Sequence, residues 1–395
     1  MERRKFIKDS ALASSLLFVP SFVKAFESVT SQQLGYKRLV IIQLAGGNDG
    51  LNTVIPFNND IYYNARPRLA ITKDIIRLND HLGFHPSLAP LRSLFDNGEM
   101  SIINNVGYPN PVRSHFRSMD IWQTASDSNE YLQSGWLGRY LDAHGYKPYN
   151  AIEMDEQLSL AMKGEHFNGI ATNDYKVLYN TAKDPFFKSV LRHYNDKHLS
   201  EHNLGYLYQT MIEARSSAKY IYEKTKVKRS QQNYPQNKFA KQLKNVAQFI
   251  NSGLDTKVFY TSLGGFDTHA NQPNIQKRLL TQYATSVFAF VEDLRQHKTF
   301  EDTLILTFSE FGRRVKQNAA NGTDHGAANN VFIIGKKLKK AGFYNKLTSL
   351  SDLDSNGDLK YKIDFRTVYA TILNRWLEAD DALVLNNTYK KLSFI

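Results

Sequence analysis

Asp267 and His269 flank Thr268 in the run Gly264-Gly265-Phe266-Asp267-Thr268-His269. In an extended segment, residues two apart face the same side, so a carboxylate and an imidazole would point together. Three more polar runs carry donors of the same kinds. They are Gly46-Gly47-Asn48-Asp49-Gly50, Ser309-Glu310-Phe311-Gly312-Arg313-Arg314 and Gly322-Thr323-Asp324-His325-Gly326. Asp49, Glu310 and His325 thereby add two carboxylates and an imidazole. Such a set suits a metal centre without sulfur. Imidazole fits zinc, iron or manganese, and carboxylates favour harder ions such as calcium. Two neighbouring ions would clamp a tetrahedral oxyanion and activate a nucleophile. Each run also has a plainer reading. Asp49 fits a tight turn, Asp267 a cap, and Glu310 an ion pair with Arg313 or Arg314. The joint, glycine-flanked pattern favours a site.

Arg113-Ser114-His115-Phe116-Arg117 precedes a helix predicted over 115–123. Ser114 there fits an ordinary N-cap. It also fits a nucleophile exposed where helix N–H groups favour an anion, with Arg113 and Arg117 placed to grip its oxygens. The run Asp352-x-Asp354-x-Asn356-Gly357-Asp358 starts like a calcium loop. Its twelfth position is Ile363 where a glutamate is needed, so it reads as a polar loop.

The elements that must position these groups follow from apolar patterning. Continuous apolar runs at Arg38–Ala45, Met100–Val106, Lys257–Thr261, Thr303–Phe308 and Val331–Ile334 read as buried strands. Helical patterns lie between them, at about 86–95, 184–198, 204–225, 238–251, 275–297 and 365–378. Alternating strands and helices argue for an α/β fold with a mainly parallel sheet. The stretch of about 160–255, rich in helix, Tyr, Asn and Lys, reads as a helical insertion in one domain. Three of the four polar runs follow strands, and ligands in open α/β sheets bind beyond the strands' carboxyl ends. Those three are expected to converge.

The chain has 395 residues, 42% hydrophobic and 12% aromatic, which excludes global disorder and is enough for a sizeable core. It has no cysteine, which excludes thiolate zinc sites, Fe–S clusters, thiol nucleophiles and disulfides. Glu2-Arg3-Arg4-Lys5-Phe6-Ile7-Lys8, followed by a short apolar stretch from Ala11 to Val19, reads as a twin-arginine export signal. Val23-Lys24-Ala25 offers a cleavage site, giving a mature domain of residues 26–395 with no stable membrane anchor. Cleavage removes five basic and two acidic residues and lowers the formal charge from +12 to +9. The remaining basic residues are dispersed without interleaved aromatics, which argues against nucleic acid.

Taken together, these motifs resemble a twin-arginine-exported bacterial family catalogued as domain of unknown function 1501. The resemblance runs through Leu44–Phe57, Arg66-Pro67, His85-Pro86 and Arg113–Phe116. It continues through Gly135-Trp136-Leu137-Gly138-Arg139, Gly264–Gln272, the runs at 309–314 and 322–326, and Asp364-Phe365-Arg366. The family in turn is similar to a distant branch of the alkaline phosphatase and sulfatase superfamily. That similarity implies a doubly wound α/β core and one or two divalent ions, such as zinc, manganese or calcium. It implies that Asp49, Asp267, His269 and His325 hold the metal and that Ser114 attacks; on the residues' own chemistry Glu310 is expected to add a further ligand and Arg113 or Arg313 to steady the anion. Ser309-Glu310 departs from the superfamily's usual Asp-His. The expected protein is a periplasmic or extracellular hydrolase of phosphate or sulfate esters, small-molecule or glycan. The alternative is a non-catalytic protein binding a glycan, an anionic polymer or a protein partner.

Overall fold

In the computed structural model, residues 37–185, 203–226 and 230–395 are described. The proposed export signal and the helix expected over 184–198 fall wholly or almost wholly outside them. At the centre of the sheet lies β1 (Arg38–Ala45), whose sequence RLVIIQLA is buried on both faces up to its last residue. A continuous Val/Ile/Leu run is what a strand covered on both sides requires.

The other sheet strands are β2 (Met100–Gly107), β3 (Ala151–Glu153), β4 (Ile170–Ala171), β5 (Val258–Gly264), β6 (Thr303–Phe308), β7 (Asn329–Ile334), β8 (Gly342–Phe343) and β9 (Ile363–Asp364). Their order is β8-β2-β7-β6-β1-β5-β3-β4, with β9 also paired to β2. Every pairing within this sheet is parallel except those of β7, which runs antiparallel to both β6 and β2.

Side-chain alternation along β1 divides the core in two. Val40, Ile42 and Leu44 join Phe259, Leu243, Val246, Leu280 and Phe290 on one face. Leu39 and Ile41 join Tyr260, Leu306, Trp122, Trp136 and Phe365 on the other. The first face is covered by α4 (Lys238–Asn251) and α5 (Gln272–Gln296), the second by α1 (His115–Thr124), α2 (Trp136–His144) and α6 (Phe365–Thr371). A further helix, α3 (Asn203–Thr225), precedes α4. Helices on both faces make the fold a doubly wound α/β sheet. Within the 160–255 stretch, Ile170–Ala171 supplies an edge strand, and α4 packs its buried Phe239, Leu243, Val246 and Ile250 into the main core. Their i, i+4, i+7, i+11 spacing puts them on one helix face.

Some boundaries differ from the sequence expectation, for local reasons. β5 runs on through Ser262-Leu263-Gly264 because these residues pair with Gln43-Leu44-Ala45. β7 begins earlier, at Asn329, whose side-chain amide donates to the carbonyls of Asn48 and Phe311 and so is satisfied inside the sheet. The 86–95 helix is a 3-10 turn over Pro86–Leu91 followed by a short α-helix over Arg92–Asp96, with Pro90 at the break.

Candidate metal centre

All four polar runs meet at one edge of the sheet. Three follow parallel strands. The fourth precedes β7, and because that strand is antiparallel, its amino end lies beside the carboxyl ends of the others. An isolated backbone bridge between Arg313 and His325 ties the third run to the fourth. Gly46 has φ +115°, and a Cβ there would meet the Asp267 nitrogen at 2.5 Å, so only glycine lets the first run pass against the second.

Three ring nitrogens and one carboxylate oxygen converge there. The Nε2 atoms of His115, His269 and His325 lie 3.3, 3.1 and 3.3 Å from Asp267 Oδ1. Two of the tautomers are fixed from behind. His325 Nδ1 is 2.7 Å from the Arg113 carbonyl, which can only accept, so Nδ1 carries the proton. His115 Nδ1 is 2.8 Å from Glu310 Oε1, which also accepts the Gly46 N–H at 2.8 Å. His269 Nδ1 faces Asp324 Oδ1 at 3.4 Å. In neutral imidazoles these contacts leave the Nε2 lone pairs pointing inward. His269 and His325 bring theirs within 2.9 Å of each other, and the buried His115 Nε2 has no hydrogen-bond partner among the described residues. An orphaned nitrogen among convergent lone pairs and a carboxylate is a donor set that fits a divalent cation. Ligand atoms of His115, Asp267 and His325 all lie within 4.8 Å of one another.

The local fields suit such a centre. Burial pushes the Asp267 carboxyl up, but the Arg313 guanidinium and His325 outweigh it and bring it down to about 2. The Glu310 carboxylate raises His115 despite its partial burial. Burial, with Arg313 nearby, lowers His325.

The sequence-predicted residues are therefore only partly assembled. Asp267, His269 and His325 come together. Asp49 does not join them: it is buried in an ion pair with Arg66 at 2.6 Å, caps the turn at Leu51 and Asn52, and accepts from Gln272 at 2.5 Å. Glu310 stands behind His115 as its carboxylate partner, not in the convergent set. Arg313 is fully buried and cannot steady a substrate anion. Its guanidinium is spent on the carbonyls of Gly46, Gly47, Phe266 and Thr323 and on Asp267.

Ser114 is exposed at the N-cap position of α1, and its side chain makes no capping hydrogen bond. Arg113 is anchored by the buried Asp358 at 2.6 Å, which gives the aspartate-rich loop a role as an arginine anchor. His115 was not expected as a donor. The signal was its place beside Ser114 at a helix start, but its partner Glu310 is 195 residues away.

The fold is similar to several solved structures, all at low identity. One is a PsFucS1 sulfatase from Pseudoalteromonas sp., with 11% identity over 94% of this chain and 73% of that one and a TM-score of 0.39. Another is the lipoteichoic acid synthase LtaP from Listeria monocytogenes, with 8% identity over 79% and 68% and a TM-score of 0.38. A third is a protein in the alkaline phosphatase superfamily from Vibrio parahaemolyticus, with 12% identity over 76% and 60% and a TM-score of 0.30. No curated protein sequence matches the chain. The family described as protein of unknown function (DUF1501) matches residues 36–388, and the chain belongs to it.

Proposed function

We propose that the chain is an exported, metal-dependent hydrolase of phosphate or sulfate esters. The observation that carries this reading is the inward convergence of His115 Nε2, His325 Nε2 and the Asp267 carboxylate, with His269 as a fourth donor. Asp49 and Glu310 are committed to the protein, so the reading is of one ion. When bound, a divalent cation there supplies Lewis-acid stabilisation of an ester oxygen and of the charge that develops on it. The chain's own residues do the rest. Ser114 Oγ attacks the phosphorus or sulfur and the bond to the leaving alcohol breaks; water then cleaves the serine ester and regenerates Ser114. The first-turn N–H groups of α1 and the anchored Arg113 face the anionic oxygens. His325 holds its proton on Nδ1 against the Arg113 carbonyl, which keeps the centre and the arginine in register.

The experiment is elemental analysis of the purified protein with assay of aryl phosphates and aryl sulfates. The reading requires stoichiometric metal in the wild type, its loss in Asp267→Asn, and loss of turnover but not of metal in Ser114→Ala. A metal-free, folded wild type ends the proposal. One observation favours a second, non-catalytic role: the expected anion grip of Arg313 is absent. Turnover of either ester class excludes that role.

Export through the twin-arginine machinery and a mature start near Phe26 complete the proposal. Among the described residues no helix is long and apolar enough to cross a membrane. Fractionation and N-terminal sequencing of the expressed protein test the export.

A further inference from the structure

The sheet edge that carries the histidine cluster also carries a cavity of about 420 Å³ on the α1 side. Gln43 of β1, Glu153 of β3 and Tyr260 and Ser262 of β5 line it, with Met119 and Gln123 of α1. Met119 and Gln123 follow His115 at i+4 and i+8, so they extend the same helix face. Ala45, also in the lining, precedes Gly46, whose N–H binds the Glu310 carboxylate behind His115. The cavity lining thus reaches within one residue of Gly46 and one helical turn of His115.

Two buried groups in it have capacity left over. Gln43 is 3% exposed; its Oε1 accepts from the Tyr260 hydroxyl at 2.6 Å, and its Nε2 has no partner among the described residues. Glu153 is 5% exposed, and one of its oxygens accepts from the Ser159 N–H at 2.7 Å. Burial pushes its carboxyl up to about 7, so it is held near the balance between acid and carboxylate. Among the described residues no lysine or arginine lines the cavity, while Asp155 and Glu156 do. Those carboxylates disfavour an anion. An ammonium group offers only donors and would leave Gln43 Nε2 without an acceptor. A hydroxyl both accepts and donates, so it satisfies Gln43 and Glu153 together.

We propose that this cavity is a subsite for an uncharged, hydroxyl-rich group, a sugar ring or polyol, held between Gln43 Nε2 and the Glu153 carboxyl beside the His115–Asp267–His325 centre. It deepens the ester-hydrolase reading, on which its catalytic meaning rests, by giving the organic part of the ester a place.

The test is saturation-transfer NMR on the full chain with the methyl glycosides of glucose, galactose, mannose, fucose and xylose. Ethylammonium chloride and sodium sulfate serve as charged probes. At least one glycoside binds saturably, and Gln43→Leu and Glu153→Leu each weaken it by about tenfold or more. Glu153→Gln keeps the shape and the acceptor for Ser159, retains binding, and controls for folding. Asp267→Asn retains glycoside binding while losing ester turnover, so failure of the hydrolase reading and failure of the subsite are separately visible. Absence of binding by every glycoside to folded wild type overturns the proposal. So does binding of ethylammonium or sulfate, in place of glycosides, that the Gln43 and Glu153 variants abolish.

Discussion

Glu310 Oε1 lies 2.8 Å from His115 Nδ1 and on the side away from Asp267, so a carboxylate backs the imidazole that faces the centre. The same oxygen takes the Gly46 N–H. One buried carboxylate therefore sets the orientation of a ring from α1 and of the loop after β1.

Glu310→Gln keeps the size of the side chain and removes its charge. Carboxylate partners behind a metal-binding histidine typically account for about 10–100-fold in metal affinity, and a loss in that range is expected. Chelator competition measures it. In metal-free protein the His115 titration moves downward, because the anion that raises it is gone. Unchanged affinity and titration would detach Glu310 from the centre.

Asp49 separates a structural carboxylate from a ligand. Its pair with Arg66 has side chains 1% and 0% exposed. Arg66→Ala leaves a buried charge unpaired and costs about 3–5 kcal/mol of stability. Denaturant unfolding reads that loss, while the metal content of the folded fraction stays that of wild type. Metal loss at constant stability would return Asp49 to the ligand set.

Glu153 makes stability depend on pH. Its carboxyl is raised from 4.5 to about 7 in the folded protein. Between those values the native state binds more protons than the unfolded chain, so stability falls as pH rises. The contribution is full below about pH 4.5, is lost as pH passes through about 7, and is on the order of 3 kcal/mol. Urea midpoints across this window show the slope in wild type, and Glu153→Gln flattens it. Parallel pH profiles in the two proteins refute the assignment.

Trp122 is a packing test away from the chemistry. It stacks on Phe308 at 4.6 Å and on Phe365 at 4.3 Å between centroids, joining α1 to β6 and α6. Trp122→Ala is expected to cost about 3–5 kcal/mol. Because α1 carries His115, metal affinity falls with it. Thermal unfolding and metal titration together check this, and a neutral variant would mean that α1 is held by other contacts.

The strands were readable because burial on both faces forces continuous apolar runs, as in RLVIIQLA and TLILTF. The site was readable in kind, since glycine-flanked Asp267, His269 and His325 do assemble. Its division of labour was not. Arg313 is spent on four carbonyls that no spacing announces, and Asp49 is claimed by Arg66 and Gln272 through folding alone. His115 stood beside a more conspicuous serine, and its acidic partner arrives from the loop after β6. The direction of β7, which sequence patterning does not encode, decides where His325 falls.

That reversed strand has a consequence for biogenesis. The donors at 115, 267 and 325 come from widely separated parts of the chain, and the last is delivered by the loop entering β7. A nascent chain ending before residue 325 has no closed coordination cage, however well its first strands have paired. Loading of the proposed centre therefore waits until the chain has been made past residue 325, and truncations that end before His325 are expected to abolish it.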